Sequence, residues 1–219
     1  MARTPETEIM ASANEAELYD AMDHSEANEA FLMRLFQLGA GGRMLDLGTG
    51  PGHIPLTAVV MDRECRIVAT DLSEPMLAIA EEHRAISNHG DRVEFRKADV
   101  ADLSDEPDGA FDTVWSNSVL HHVSDPVAFL KEARRLCRAG GVLLIRDLRR
   151  PETEQEAMQL VAQHASDEPK QARNLFYASL LAAYTTAELS AFAKAAGWVG
   201  ASVKKEGDRH LVLEVLAAD

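Results

Sequence analysis

Between residues 43 and 145 the chain alternates short apolar runs with longer stretches whose apolar residues recur every three or four positions. The runs fall at 44–47, 66–70, 93–97, 113–115 and 142–145, and each ends at or near an acid or another polar residue. Such runs read as buried strands and the stretches between them as crossover helices, so the pattern predicts a parallel sheet. The helices are expected at 53–62, 75–88 and 126–138. Ser73 with Pro75 opens the second and Asp125 with Pro126 the third, each pairing a side-chain cap with a proline in the first turn. Arg138-Ala139-Gly140-Gly141 is expected to close the third with a left-handed glycine.

The flanks follow other rhythms. Roughly the first ten residues are polar and expected to fray. A helix then begins near Asn14 as cap, and a second with Ser25 as cap ends at Gly39. Residues 151–185 hold two helical patterns and no strand, which reads as an insertion after the fifth strand. A helix at 187–196 ends at Gly197, and strands at 199–205 and 210–216 surround Glu206-Gly207-Asp208, an antiparallel hairpin added to one sheet edge.

A length of 219 residues fits a single domain over 1–219 with a sizeable core. Apolar residues at 46% and charged residues at 26% exclude disordered, collagen-like and disulfide-dense classes. The net charge of -14 opposes nucleic acid and anionic lipid, so no nucleic-acid partner is expected. Cys65 and Cys137 show no metal or redox spacing and read as reduced core residues. No run approaches the ~20 apolar residues of a membrane span, and the N-terminus lacks a signal peptide's apolar centre. A cytoplasmic location without membrane insertion is therefore expected.

The chemistry gathers at MLDLGTGPGHI, residues 44–54. A strand, a tight glycine turn and a helix start place backbone groups and a partial positive charge at the carboxyl end of a sheet. A dinucleotide fingerprint wants G-x-G-x-x-G, yet the third position is His53, and no Lys-Ser/Thr follows as in a phosphate P-loop. Asp46 beside the loop disfavours pyrophosphate and suits an ammonium group. Asp71, at the end of the second strand, suits a ribose diol. The expected ligand has adenosine at one end and an amino acid at the other.

With LDLGTGPG, ATDLSEPML, RKADVADL, FDTVWSNSVLHHVSDP and LKEARRLCRAGGVLLIRD in this order, the chain resembles the class I S-adenosylmethionine-dependent methyltransferases over about residues 40–147. Within them it is most similar to the small-molecule enzymes of the ubiquinone/menaquinone-biosynthesis type. The resemblance implies an α/β, Rossmann-like fold: a seven-stranded, mostly parallel sheet with helices on both faces, an antiparallel C-terminal hairpin, an N-terminal helical lid over 14–39 and the helical insertion 151–185 over the active site. It implies S-adenosyl-L-methionine as cofactor. Gly48, Thr49, Gly50 and Gly52 would meet its methionine part through backbone, and Asp46 would hold its amino group. Asp71 would bind the ribose, Leu72 and Met76 would pack on adenine, and Asp99 and Val100 would bond the adenine edge. Asn117 would lie near the transferring methyl, and Tyr19 would lie across the cofactor.

In-line methyl transfer needs orientation more than acid–base chemistry. His121 is a candidate base or substrate anchor, with packing as the alternative. Adjacent His121 and His122 are expected to point apart, and no metal site is expected. Arg146, Arg149 and Arg150 either bind an anionic acceptor or pair with acids of the insertion, Arg146 being the sharpest candidate because it continues an apolar run. Arg173 and Tyr177 are candidates to face the acceptor, while Leu175 reads as core and Phe176 as packing. The expected partner is a small-molecule acceptor and the expected assembly a monomer or homodimer. The alternatives are a nicotinamide-dependent oxidoreductase, against which His53 counts, and a non-catalytic S-adenosylmethionine-binding protein.

Overall fold

The structure is a computed structural model that describes residues 1–6 and 12–215. Its centre is a seven-stranded sheet made of β1 (Arg43–Leu47), β2 (Arg66–Asp71), β3 (Val93–Lys97), β4 (Phe111–Asn117), β5 (Cys137–Leu148), β6 (Ser202–Glu206) and β7 (His210–Val215). The order is β3-β2-β1-β4-β5-β7-β6, parallel except where β7 pairs antiparallel with both β5 and β6. The order reverses between β1 and β4, which opens a crevice at the carboxyl ends of those strands.

Strand alternation builds two cores. Leu45, Leu47, Val114, Leu143 and Ile145 face one side, with Phe129, Leu130, Leu189 and Trp198. Met44, Ile67, Trp115, Val142 and Leu144 face the other, with Phe31, Leu32, Leu35 and Ile54. The helices supplying these residues are α2 (Ser25–Gln37), α3 (His53–Met61), α5 (Pro126–Leu136) and α8 (Thr186–Ala195), with Trp198 following just after α8. Burial on both faces explains why the strands read as continuous apolar runs. Cys65 and Cys137 are free and buried.

Local signals hold where they are strong. Ser73 caps α4 (Glu74–Ile86) through the Met76 amide, and Asp125 caps α5 through the Val127 and Ala128 amides. Four boundaries move. α1 (Ala13–Asp20) is capped not by Asn14 but by Ser12, whose reciprocal bonds with Glu15 satisfy two orphan amides at once. Ser25 is the first residue of α2 rather than its cap; its amide and hydroxyl both donate to Asp23 Oδ1. α5 stops at Leu136 in extended Cys137, so left-handed Gly140 (φ 69°) lies within β5 and not at the helix end. The C-terminal hairpin begins at Ser202 instead of 199, and residue 216 lies outside the described residues.

The segment after β5 forms α6 (Glu154–His164) and α7 (Lys170–Ala182), as its pattern predicts. Leu148, Leu160, Leu180 and Ala183 pack them onto the end of β5. Residues 1–6 run beside α7, where the Thr4 amide donates to Leu181 O and Arg3 Nε to Ala182 O.

Candidate active site

The crevice at the reversal of strand order is a cavity of about 750 Å³. The glycine loop forms its floor, and the three glycines have three different tasks. Gly48 (φ 79°) admits Val119, whose Cγ2 would lie 2.3 Å from any Cβ. Gly52 (φ 80°) starts α3 against Phe95, where a Cβ would meet the ring at 2.6 Å, and it does not line the cavity. Gly50 (φ 55°) has nothing within 4 Å of the corresponding position, and it does line the cavity.

The loop amides are already engaged. Those of Gly48 and Thr49 both donate to Thr70 O at 2.8 Å, and that of Gly50 donates to Asp71 Oδ2 at 2.8 Å. A phosphate cradle needs such amides free, so this loop is not built as one. It offers acceptors instead. Asp46, paired in register with Trp115 of β4, is 2% exposed. Asp46 Oδ2, Thr49 Oγ1 and Trp115 Nε1 are buried without a hydrogen-bond partner among the described residues. Burial pushes the Asp46 carboxyl up to about 7, the neighbouring Asp71 charge adds to this, and Thr49 and Trp115 oppose it. A buried carboxylate held so high gains most from a cationic hydrogen-bond donor.

Asp71 Oδ1 accepts from the Ser73 amide at 2.9 Å, which fixes both carboxylate oxygens while each keeps a lone pair for a ligand. Burial raises its pKa against the three amides that lower it. Beyond it, Leu72 and buried Met76 give the cavity an apolar wall, followed by Asp99 and Val100. Asp99 Oδ1 accepts from the Ala101 amide at 2.9 Å.

At the opposite end, Asn117 Oδ1 accepts from Arg146 Nε at 2.8 Å across the β4–β5 register. Ser118 follows in the left-handed region (φ 59°), a strained turn with no glycine to announce it. Tyr19 of α1 lines both this cavity and a smaller one of about 130 Å³. Burial lifts its phenol to about 12, with Asp71 and Asp147 adding to the rise. Asp20 beside it bonds His53 Nε2 at 2.8 Å and lies 3.5 Å from His83 Nε2, tying α1 to α3 and α4.

The remaining candidates lie at the smaller cavity. His121 and His122 sit in a 3-10 turn (Leu120–His122), where His121 lines only the smaller cavity and His122 both. His121 Nδ1 bonds Asp147 Oδ1 at 2.6 Å. Burial disfavours its charge, but Asp147 outweighs burial and raises its pKa, whereas burial drives His122 down to about 3. The rings do not point apart. Their centroids are 4.0 Å apart, and with Glu6 they bring three ligand atoms within 4.8 Å of one another, because the tight turn keeps neighbours on one side. Arg3, donating to His121 O at 2.8 Å, adds a positive charge there that opposes a cation.

Arg146 lines the smaller cavity only. It is 2% exposed, stacks over Phe31 and donates to Ala27 O at 2.7 Å, so it joins α2 to the sheet. Arg149 pairs with Glu156 of α6 at 2.6 Å and Arg150 with Glu188 of α8 at 2.8 Å. Arg173 and Tyr177 line neither cavity; Leu175 and Phe176 line the smaller one instead. Arg209 and His210, absent from the sequence-based candidates, also line it. A charged pair following a Gly-Asp turn was the only available signal for them.

Residues 38–201 match a family model described as a methyltransferase domain. The chain is 33% identical over 116 residues to a 27-O-demethylrifamycin SV methyltransferase of Amycolatopsis mediterranei, covering 53% of this chain and 42% of that protein. It is 34% identical over 111 residues to a ubiquinone biosynthesis O-methyltransferase of Xanthomonas euvesicatoria, covering 51% and 45%. The matched segment thus spans less than half the length of these relatives. The structure resembles that of a SAM-dependent methyltransferase from Aquifex aeolicus with TM-score 0.68 and 20% identity, covering 94% of this chain and 99% of the other, a likeness of fold.

Proposed function

Because this chain belongs to the methyltransferase-domain family, we propose that it transfers the methyl group of S-adenosylmethionine to a small-molecule acceptor and leaves S-adenosylhomocysteine. The observation that carries this reading is the buried Asp46 carboxyl, its desolvation opposed only by Thr49 and Trp115, beside a glycine loop whose amides are already spent. Such a floor suits the ammonium end of an amino acid and repels the pyrophosphate of a nicotinamide dinucleotide. Gly48 and Gly50 shape the floor, whereas Gly52, expected from the sequence to meet the cofactor, instead packs the start of α3 against Phe95 behind it. Asp71 would accept from the ribose hydroxyls, Leu72 and Met76 would cover adenine, and Asp99 and Val100 would meet its polar edge.

The bound cofactor supplies a methyl group already activated on a sulfonium. The chain orients and shields the reaction. Asn117, fixed by Arg146, would mark where methyl and acceptor meet, with Arg146 as a positioning residue. Tyr19 would sit between cofactor and acceptor, and the α1–α2 segment within 14–39 would act as a lid, with 151–185 covering the acceptor side. His121, whose charged form Asp147 favours against burial, would anchor the acceptor. We further place a single domain over 1–219, acting in the cytoplasm as a monomer or homodimer without nucleic acid. Among the described residues no helix is long and apolar enough to cross a membrane.

Calorimetry with S-adenosylmethionine, S-adenosylhomocysteine and NAD tests the reading. Saturable binding of both sulfur compounds is expected; preferential binding of NAD, or no binding of either sulfur compound, overturns it. A screen of small acceptors followed by S-adenosylhomocysteine release then identifies the product.

A further inference from the structure

The smaller cavity meets the large one at the carboxyl end of β4, where Tyr19, His24, Asn117 and His122 line both. Its wall carries two arginines, Arg146 and Arg209, and two acids, Asp23 and Glu168. Three arginines close in sequence to this wall are already matched: Arg146 with Glu206, Arg149 with Glu156 and Arg150 with Glu188. Arg209 is not. Among the described residues its guanidinium makes no hydrogen bond and no ion pair, and it lies over the Phe176 ring, 5.7 Å from the centroid.

The nearby acids are engaged elsewhere or lie out of reach. Asp208 is taken by His164 at 2.7 Å and Gln163 at 3.0 Å, and Asp23 by the amide and hydroxyl of Ser25. Glu168, also on the wall, is beyond ion-pair distance of Arg209 among the described residues. Burial pushes Arg209 below its ordinary value, with Asp208 and Glu26 only opposing this. His210 next to it is pushed to about 3 by burial and by Arg146 and Arg209, so it adds a neutral polar ring to the wall. An unpaired, partly desolvated guanidinium facing a cavity is a receptor for an oxyanion.

We propose that the smaller cavity binds a carboxylate or phosphate group carried by the methyl acceptor, and that Arg209, laid over Phe176, is the residue that recognises it. Naming the ligand as the acceptor rests on the methyl-transfer reading; the anion site does not. Phe176 gives the guanidinium an aromatic neighbour, and its N–H donors are left for two oxygens of the ligand.

The test titrates the protein with inorganic phosphate and, separately, acetate, comparing wild type, Arg209→Gln and Arg209→Lys after melting curves show that each is folded. One saturable site is expected for at least one anion, weakened roughly tenfold or more in Arg209→Gln and less in Arg209→Lys. Which anion binds tells phosphate from carboxylate. No saturable binding of either, or equal binding by Arg209→Gln, overturns the proposal. In the acceptor screen, acids are expected to be methylated in preference to their matched amides, and Arg209→Gln is expected to erase that preference through KM; preference for the amides overturns it. S-adenosylmethionine affinity is read in parallel. Its absence in wild type would sink the methyl-transfer reading while leaving the anion titration to stand or fall by itself.

Discussion

His121 Nδ1 lies 2.6 Å from Asp147 Oδ1, with both side chains under 5% exposed. Asp147 Oδ2 also accepts from the His121 backbone amide at 3.1 Å, so one strand-end carboxylate fixes both ring and turn. The pair connects the 3-10 turn after β4 to β5, and it sets the position from which His122 reaches the larger cavity.

Replacing Asp147 with Asn should reveal a charged pair through its pH dependence. The pKa of His121 is raised above 6.5, so its contribution is complete below 6.5 and fades as pH climbs through the raised folded value. That of Asp147 is lowered below 3.8, so its contribution is complete above 3.8 and fades as pH falls through the depressed value. Wild type should exceed Asp147→Asn by about 3 kcal/mol in the window between, as for a buried ion pair losing one partner. Urea unfolding at pH about 5.5 and about 9 should show the gap narrowing at the higher pH. A gap of constant size would mean that the histidine carries no extra charge.

Asp46 makes the opposite trade. Its carboxyl is raised from 3.8 to about 7, so the cofactor-free protein loses stability progressively as pH rises through that interval. Asp46→Asn should therefore melt higher than wild type at pH about 8 and no higher at pH about 4. The same change should weaken S-adenosylmethionine binding. In wild type the affinity should grow by at most about tenfold per pH unit up to about 7, with a proton released on binding, and should decline once the ligand's own ammonium group titrates at roughly 8 or above. Calorimetry in two buffers of different ionisation enthalpy reads that proton directly; an affinity independent of pH would remove Asp46 from the ammonium site.

The glycines should separate in the same assays. Gly48→Ala puts a methyl group 2.3 Å from Val119 Cγ2 in a left-handed backbone, and should cost about 2–5 kcal/mol in thermal or urea unfolding. Adding Val119→Ala should recover part of that loss. Gly50→Ala meets no atom and should cost only the left-handed term, about 1–2 kcal/mol. Its methyl group faces the cavity, so cofactor affinity should fall more than stability does. Equal stability losses at the two positions would contradict the different tasks assigned to them.

Much of the glycine-loop half of the candidate site was legible in the chain. Apolar runs ending at or near an acid or another polar residue located β1, β2 and β4, and glycine spacing by itself opposed the dinucleotide reading. The structure added the reason: Thr70 O and Asp71 consume the loop amides. The strong caps at Ser73 and Asp125 were also readable, because a cap is a contact between residues two or three apart. Weaker ones were not. Asn14, Ser12 and Ser25 are all competent cap residues, and only the backbone path chose among them.

The acceptor half was decided elsewhere. Arg146 follows an apolar run and so looked free to meet a ligand, yet its partners Asn117, Glu206 and Ala27 are 29, 60 and 119 residues away in sequence. Arg209 carried only the weak signal of a polar turn before it, and among the described residues it is left unpaired while the adjacent Asp208 carboxylate turns to Gln163 and His164. The sequence by itself determined the strands, the turns and the acids at strand ends, since these depend on side-chain period and on the backbone angles of a few consecutive residues. Tertiary structure decided which charges are matched and which remain open to a ligand, because Coulomb interaction and desolvation depend on distance and burial in space, to which separation along the chain is no guide.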